Sequence, residues 1–243
     1  MAKPIQNGDS VMETVHKVVF DVECMKHQFV LSYRRLNGYK EDGIPHSVHT
    51  PKDAYNAMKE NADALWIGYN SNEYDDYIMS AILESEGEVT AEDLAELSSA
   101  IIETTNRKPR KCFTSYDCFD PINVGMRSLK MFCGSSGRST YDSPYSFKED
   151  RYYNDKEVRE IERYCEEDVE YTTEVFLNEK GFFEASLSRL DIISDAGYDI
   201  PPEQEIQLVC CKGASFSRRL FEMLCGTRDS SDNCRTGFWL IHD

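Results

Sequence analysis

Asp21 and Glu23 stand two residues apart at the end of the apolar run Val18-Val19-Phe20-Asp21-Val22-Glu23. In an extended strand, residues i and i+2 share a face. The two carboxylates are therefore expected side by side at the tip of a strand that otherwise reads as core. Unpaired carboxylates in such a place repel each other and lose their hydration. A divalent cation relieves both costs, so the pair reads as part of a metal site.

Two further acidic segments follow. Gly68-Tyr69-Asn70-Ser71-Asn72-Glu73-Tyr74-Asp75-Asp76 lies where a strand gives way to a helix. The carboxyl ends of strands are where α/β sheets place their sites. Acids at a helix N-terminus also suit its dipole, which alone accounts for Glu73, Asp75 and Asp76. The third segment is Tyr164-Cys165-Glu166-Glu167-Asp168-Val169. Tyr164 and Asp168 are four apart and share one helical face. A core tyrosine beside a surface acid would show the same spacing.

In this order, D-x-E, N-x-x-x-Y-D and Y-x-x-x-D resemble the DEDD 3′→5′ exonucleases, the DnaQ-like branch of the ribonuclease H-like superfamily that includes proofreading domains of DNA polymerases. Tyr164 in the third motif resembles the DEDDy type. Ser128-Leu129-Lys130 and the loop before Tyr145-Ser146-Phe147 look like exonuclease-type proteins of phage replication modules. The resemblance covers roughly residues 15–180. It implies a ribonuclease H-like mixed β-sheet flanked by helices, with Asp21, Glu23, Asp75 and Asp168 as acidic ligands and Tyr164 as the fifth catalytic group. Asp75 follows Tyr74 as the family's aromatic-Asp pair requires, and Asp76 is its rival, expected to be solvated. Asn70 would support the active-site loop as a substrate-binding residue. Cys24 stands at a substrate-contacting position where many relatives carry Thr. The implied cofactors are two Mg²⁺ or Mn²⁺ ions about 3.5–4 Å apart, which suit carboxylate oxygens and stabilise attacking and leaving oxygens. Asp21, Glu23 and Asp168 would hold the ion that generates hydroxide, and Asp21 would bridge to the second, with Asp75 assisting. Tyr164, with an ordinary pKa near 10, suits orientation of water better than proton removal.

The elements that must position these groups follow from periodicity and punctuation. Residues 1–14 read as a flexible tail. Val15 to Glu23 and Gln28 to Arg35 read as a hairpin, and Ala64 to Tyr69 as a buried strand. Thr50-Pro51 starts a helix over Lys52 to Ala62. Helical spacing covers Glu73 to Ser85, and Thr90 to Asp93 resembles a capping box for a helix to about Thr104. Cys112 to Cys118 reads as a strand, and Ser128 to Phe132 as a short helix ending at Gly134. Asn154 or Asp155 caps a helix to about Lys180. Residues 15–182 are thus expected to form the exonuclease domain. A C-terminal helical appendage, 183–243, carries helices over Phe182 to Ala196 and Pro202 to Cys225.

Composition narrows the classes. The chain has 243 residues, 40% of them hydrophobic and 12% aromatic, which argues for a folded core. No 18-residue apolar stretch or signal-peptide core is present, so a cytoplasmic protein is expected. Net charge is −17, which counts against a broad non-specific DNA-binding surface. Arg107, Lys108, Arg110 and Lys111 form the one compact basic cluster, a solvated loop or a phosphate contact. The nine cysteines read as reduced thiols. Cys210, Cys211, Cys225 and Cys234 fit no zinc spacing.

The expected activity is hydrolysis of single-stranded DNA 3′ ends to nucleoside monophosphates. The alternatives are a ribonuclease or oligoribonuclease of the same fold, or an acidic protein-binding module in replication or defence. A replication protein or a separate polymerase subunit is the expected protein partner.

Overall fold

The computed structural model describes residues 16–103, 111–119, 127–135, 137–140, 142–198, 200, 205 and 208–210. Its centre is β1 (Lys17–Met25), buried along almost its whole length, as a strand covered on both faces must be. Lys26 and His27 turn the chain into β2 (Gln28–Asn37), antiparallel to β1, with Asp21 opposite Ser32 and Glu23 opposite Val30. β3 (Lys40–Val48) pairs antiparallel with β2 and was not anticipated from the sequence. Its first five residues are exposed and mostly polar, so no alternation marks it. As an edge strand it also tolerates Pro45.

α1 (Pro51–Glu60) starts at Thr50, whose hydroxyl accepts the Asp53 amide. β4 (Leu65–Gly68) then lies parallel to β1, fully buried. A 3₁₀ turn over Ser71–Glu73 separates it from α2 (Asp75–Glu84), which lies within the helix expected over Glu73 to Ser85. Asn70 adopts the left-handed conformation, φ 58°, that lets the chain turn here. A Cβ at Gly68 would lie 2.5 Å from the Ser71 Cβ, so this close turn requires glycine. α3 (Ala91–Glu103) carries the expected reciprocal cap: Thr90 and Asp93 each accept the other's amide at 3.1 Å.

β5 (Tyr116–Asp117) pairs parallel with β4. It keeps only two residues of the strand expected over 112–118. The amides of Cys112 and Phe113 instead donate to Ser80 Oγ, both at 2.9 Å, which diverts them from the ladder. α4 (Leu129–Ser135) precedes the long α5 (Asp155–Asn178), opened by a capping box between Asn154 and Glu157. α6 (Lys180–Asp195) follows after one residue.

The result is an α/β fold: a mixed five-stranded sheet in the order β3-β2-β1-β4-β5 with flanking helices. Alternation along β1 divides the core. Val18, Phe20, Val22 and Cys24 pack with residues of α1, α2 and α3. Val19 packs with Val169, Phe176 and Phe183 of α5 and α6, and Met25 packs with Ile161 and Cys165 of α5. Phe183 and Leu187 of α6 pack in the same cluster as Val19 of β1. The helix expected over 202–225 lies almost wholly outside the described residues, as do residues 1–14. No helix among the described residues is long and apolar enough to cross a membrane.

Candidate metal centre

The period of two that buries Val19 and Met25 against α5 puts Asp21 and Glu23 on that same face. α5 supplies the third acid. Ile161, Cys165, Asp168 and Val169 form its buried stripe, and this seats Asp168 over the carboxylate pair. Ligand atoms of Asp21, Glu23 and Asp168 all lie within 4.8 Å of one another.

Burial and mutual repulsion dominate the electrostatics. Desolvation, then the Asp168 charge, pushes the Asp21 carboxyl up to about 8. Burial and the charges of Asp21, Asp168 and Asp75 hold Glu23 well above the carboxylate range. Asp168 is pushed to about 6 by burial, with Lys130 and a hydrogen bond from Tyr164 pulling the other way. Its Oδ1 is buried and has no hydrogen-bond partner. Three such groups cannot all ionise cheaply without a cation.

The Asp75-Asp76 pair separates by environment. Asp75, the first residue of α2, is buried and held far above its ordinary pKa by desolvation, then by Asp21 and Asp76. It also raises Glu23, so its charge is felt inside the centre, although it stands outside the tight triad. Asp76 was expected to be solvated and is not: it is fully buried. Its carboxylate lies 3.0 Å from Lys111 Nζ and accepts from Ser115 Oγ at 2.7 Å. That neutralised, hydrogen-bonded carboxylate serves the fold.

Tyr164 lies one turn before Asp168, half-buried at the rim. Burial and the charges of Asp168, Glu23 and Asp21 raise its hydroxyl far above 10, so it stays a neutral phenol. Lys130 Nζ donates to Tyr164 Oη at 2.7 Å and sits 4.5 Å from the ring centroid. The same ammonium lowers Asp21, Glu23 and Asp168. Below the pair, Cys165 Sγ donates to the Asp21 carbonyl and carboxylate, both at 3.3 Å. Lys130 carried no role at the sequence level beyond its place in Ser128-Leu129-Lys130, and Cys165 carried none. Both act across the chain, and no spacing signal reports such contacts.

The remaining expected site residues have other surroundings. Asn70 is exposed, and its amide donates to Asp117 Oδ1 at 2.7 Å. Asp117 also accepts the Phe119 amide at 2.9 Å, so it organises this loop. Cys24 does not present its thiol to a substrate: it is 2% exposed and packs on the face opposite Asp21 and Glu23. Of the basic cluster, Lys111 is Asp76's ion-pair partner, and Arg107, Lys108 and Arg110 lie outside the described residues. So do Cys211, Cys225 and Cys234. No protein-family model, curated protein or solved structure matches this chain.

Proposed function

We propose that this chain is a metal-dependent 3′→5′ exonuclease with a ribonuclease H-like sheet, releasing nucleoside monophosphates from single-stranded DNA ends. The observation that carries the reading is the convergence of Asp21, Glu23 and Asp168 from β1 and α5, with Asp75 beside them. The donor set fits Mg²⁺ or Mn²⁺: all-carboxylate, crowded, reluctant to ionise, and including one buried oxygen without a partner. Asp21, Glu23 and Asp168 would hold the metal, with Asp75 assisting. When bound, two such ions supply charge stabilisation for the attacking and leaving oxygens of an in-line phosphodiester displacement.

The chain's own groups have separable tasks. Tyr164 remains protonated, so it orients water or a phosphate oxygen and does not take a proton. Lys130 fixes that hydroxyl by donating to it, and places a positive charge beside the carboxylates. Cys165 donates to Asp21 and so limits which way that carboxylate can turn.

The test is incubation of the metal-stripped protein with 3′-labelled and 5′-labelled DNA and RNA oligomers in Mg²⁺, Mn²⁺ or chelator. Stepwise release from 3′ ends, only with added metal and with DNA preferred, is the expected result. Undiminished cleavage in chelator, or degradation from 5′ ends, refutes the mechanism. Preference for RNA assigns the substrate to the ribonuclease alternative.

A further inference from the structure

Residues 142–153 form a strap that joins the candidate centre to the β1–β2 turn. At one end, Asp142 lies 3.6 Å from Lys130 Nζ, the ammonium that holds Tyr164. At the other, Asp150 accepts from Lys26 at 2.5 Å and lies 2.9 Å from His27 Nε2. His27 Nδ1 is 2.8 Å from Glu92 in the first turn of α3. The strap's own Tyr145 and Tyr153 pack inward against the cluster of Met25, Val30, Ile161 and Cys165. The Arg151 guanidinium lies over both rings, at 5.1 and 4.5 Å. The strap is therefore fixed along its length.

On this frame, aromatic surface points outward. Tyr152 is 77% exposed and Phe147 44%, and Lys148 between them is exposed. Tyr152 is not adrift, because its ring stacks on His27 with centroids 4.3 Å apart and planes 18° from parallel. Carboxylates on both ring nitrogens make the imidazolium the matching form of His27, so the stack carries cation–π character. One face of Tyr152 is thus used to hold the ring, and the other is left to solvent.

We infer that Tyr152, backed by His27 and with Phe147 exposed further along the same strap, is a base-stacking platform for a single strand whose 3′ end occupies the carboxylate centre; this rests on the exonuclease reading above. A chain of net charge −17 gains little from broad phosphate contact. Stacking needs no net charge and accepts any base. β1 runs two residues beyond Glu23 to Met25, and Lys26 and His27 then turn the chain, so the Glu23 and His27 backbones stand at most roughly 13 Å apart. On the proposed placement, a nucleotide held in the centre falls short of the platform, and bases further along a longer strand cover it.

The test compares the full-length protein with Tyr152→Ala, Tyr152→Trp and Phe147→Ala. KM is measured for a dinucleotide and for single-stranded DNA of about ten nucleotides, within the usual range of single-strand site sizes. Anisotropy with Ca²⁺, which also takes carboxylate ligands, reports binding of the longer strand directly. Tyr152→Ala should weaken the longer strand by about 5–100-fold, the loss of one stacked base, and collapse its KM advantage over the dinucleotide. Tyr152→Trp should restore both, and Phe147→Ala should have a smaller effect in the same direction. If the wild type hydrolyses oligonucleotides and Tyr152→Ala keeps the full length advantage, the platform is refuted while the exonuclease reading stands. If the wild type neither binds nor hydrolyses either length with metal present, both are refuted.

Discussion

Replacing Asp168 with Asn should make the metal-free protein more stable, although it removes a metal ligand. Asp168 is 8% exposed, and its carboxyl is pushed from 3.8 to about 6. A raised carboxyl pKa means that the native state holds the proton more tightly than the unfolded chain does. Stability therefore falls as pH rises from about 4 to about 6 and stays reduced above that range. Roughly two pH units correspond to about 3 kcal/mol. Asn removes this penalty and also relieves Asp21, for which the Asp168 charge is the second cause of its shift. Against it, Lys130 loses a counter-charge, while the amide oxygen can still accept from Tyr164. A net gain of about 2 kcal/mol at pH ~8 raises Tm by about 4–8 °C for a chain of this size. Thermal melts in chelator at pH ~4 and ~8 test this. The two proteins should melt alike at the lower pH and diverge at the higher. Added Mg²⁺ or Mn²⁺ should then stabilise the wild type more than the variant. An Asp168→Asn protein that melts at or below the wild type at pH ~8, or shows the same offset at both pH values, refutes the reasoning.

Asp76→Asn should cost about 3 kcal/mol in urea denaturation, because it strips a buried ion pair from Lys111, whereas Asp75→Asn should remove most turnover without lowering stability. Tyr164→Phe should lower kcat by about 10–1000-fold with metal affinity retained; full turnover with chemistry rate-limiting would reduce Tyr164 to a packing residue. His27, whose pKa is raised above 6.5 by its hydrogen bonds to Glu92 and Asp150, should be seen by NMR to titrate above that value. Its hold on the strap is complete below pH ~6.5 and lost as pH rises through the folded value, so hydrogen exchange over 145–153, corrected for intrinsic rates, should rise with pH and do so no longer in His27→Gln.

The parts of the centre that were legible in the sequence are those set by local period. Two residues along a strand and four along a helix are geometric identities, so the shared faces of Asp21 with Glu23 and of Tyr164 with Asp168 could be read directly. Which face of α5 meets β1 depends on packing across more than 140 residues. Lys130 and Cys165 therefore gained their roles only in the folded chain. Asp75 and Asp76 are neighbours with like chemistry at one helix start, and what divides them is Lys111, 35 residues further on. β3 leaves no alternation in the sequence because the exposed first half of this edge strand has no inner face to pattern it. β5 came out short because Ser80, a residue with no evident role in the sequence, captures two amides.

The capping box at Asn154 has a consequence for tolerated changes in chain length. It fixes where α5 begins, and the 24-residue helix then sets the azimuth of every residue along it. Each residue advances the helix by about 100°. One residue inserted or deleted between Asn154 and Tyr164 would swing Cys165 and Asp168 away from β1 together, or else break the cap to keep them there. Length changes upstream of Asn154, at the exposed crest of the strap, carry no such rotation. The stretch from Asn154 to Asp168 therefore behaves as a ruler of fixed length, whereas an added residue at Phe147 or Lys148, exposed between the strap's anchors, leaves the helix azimuth unchanged.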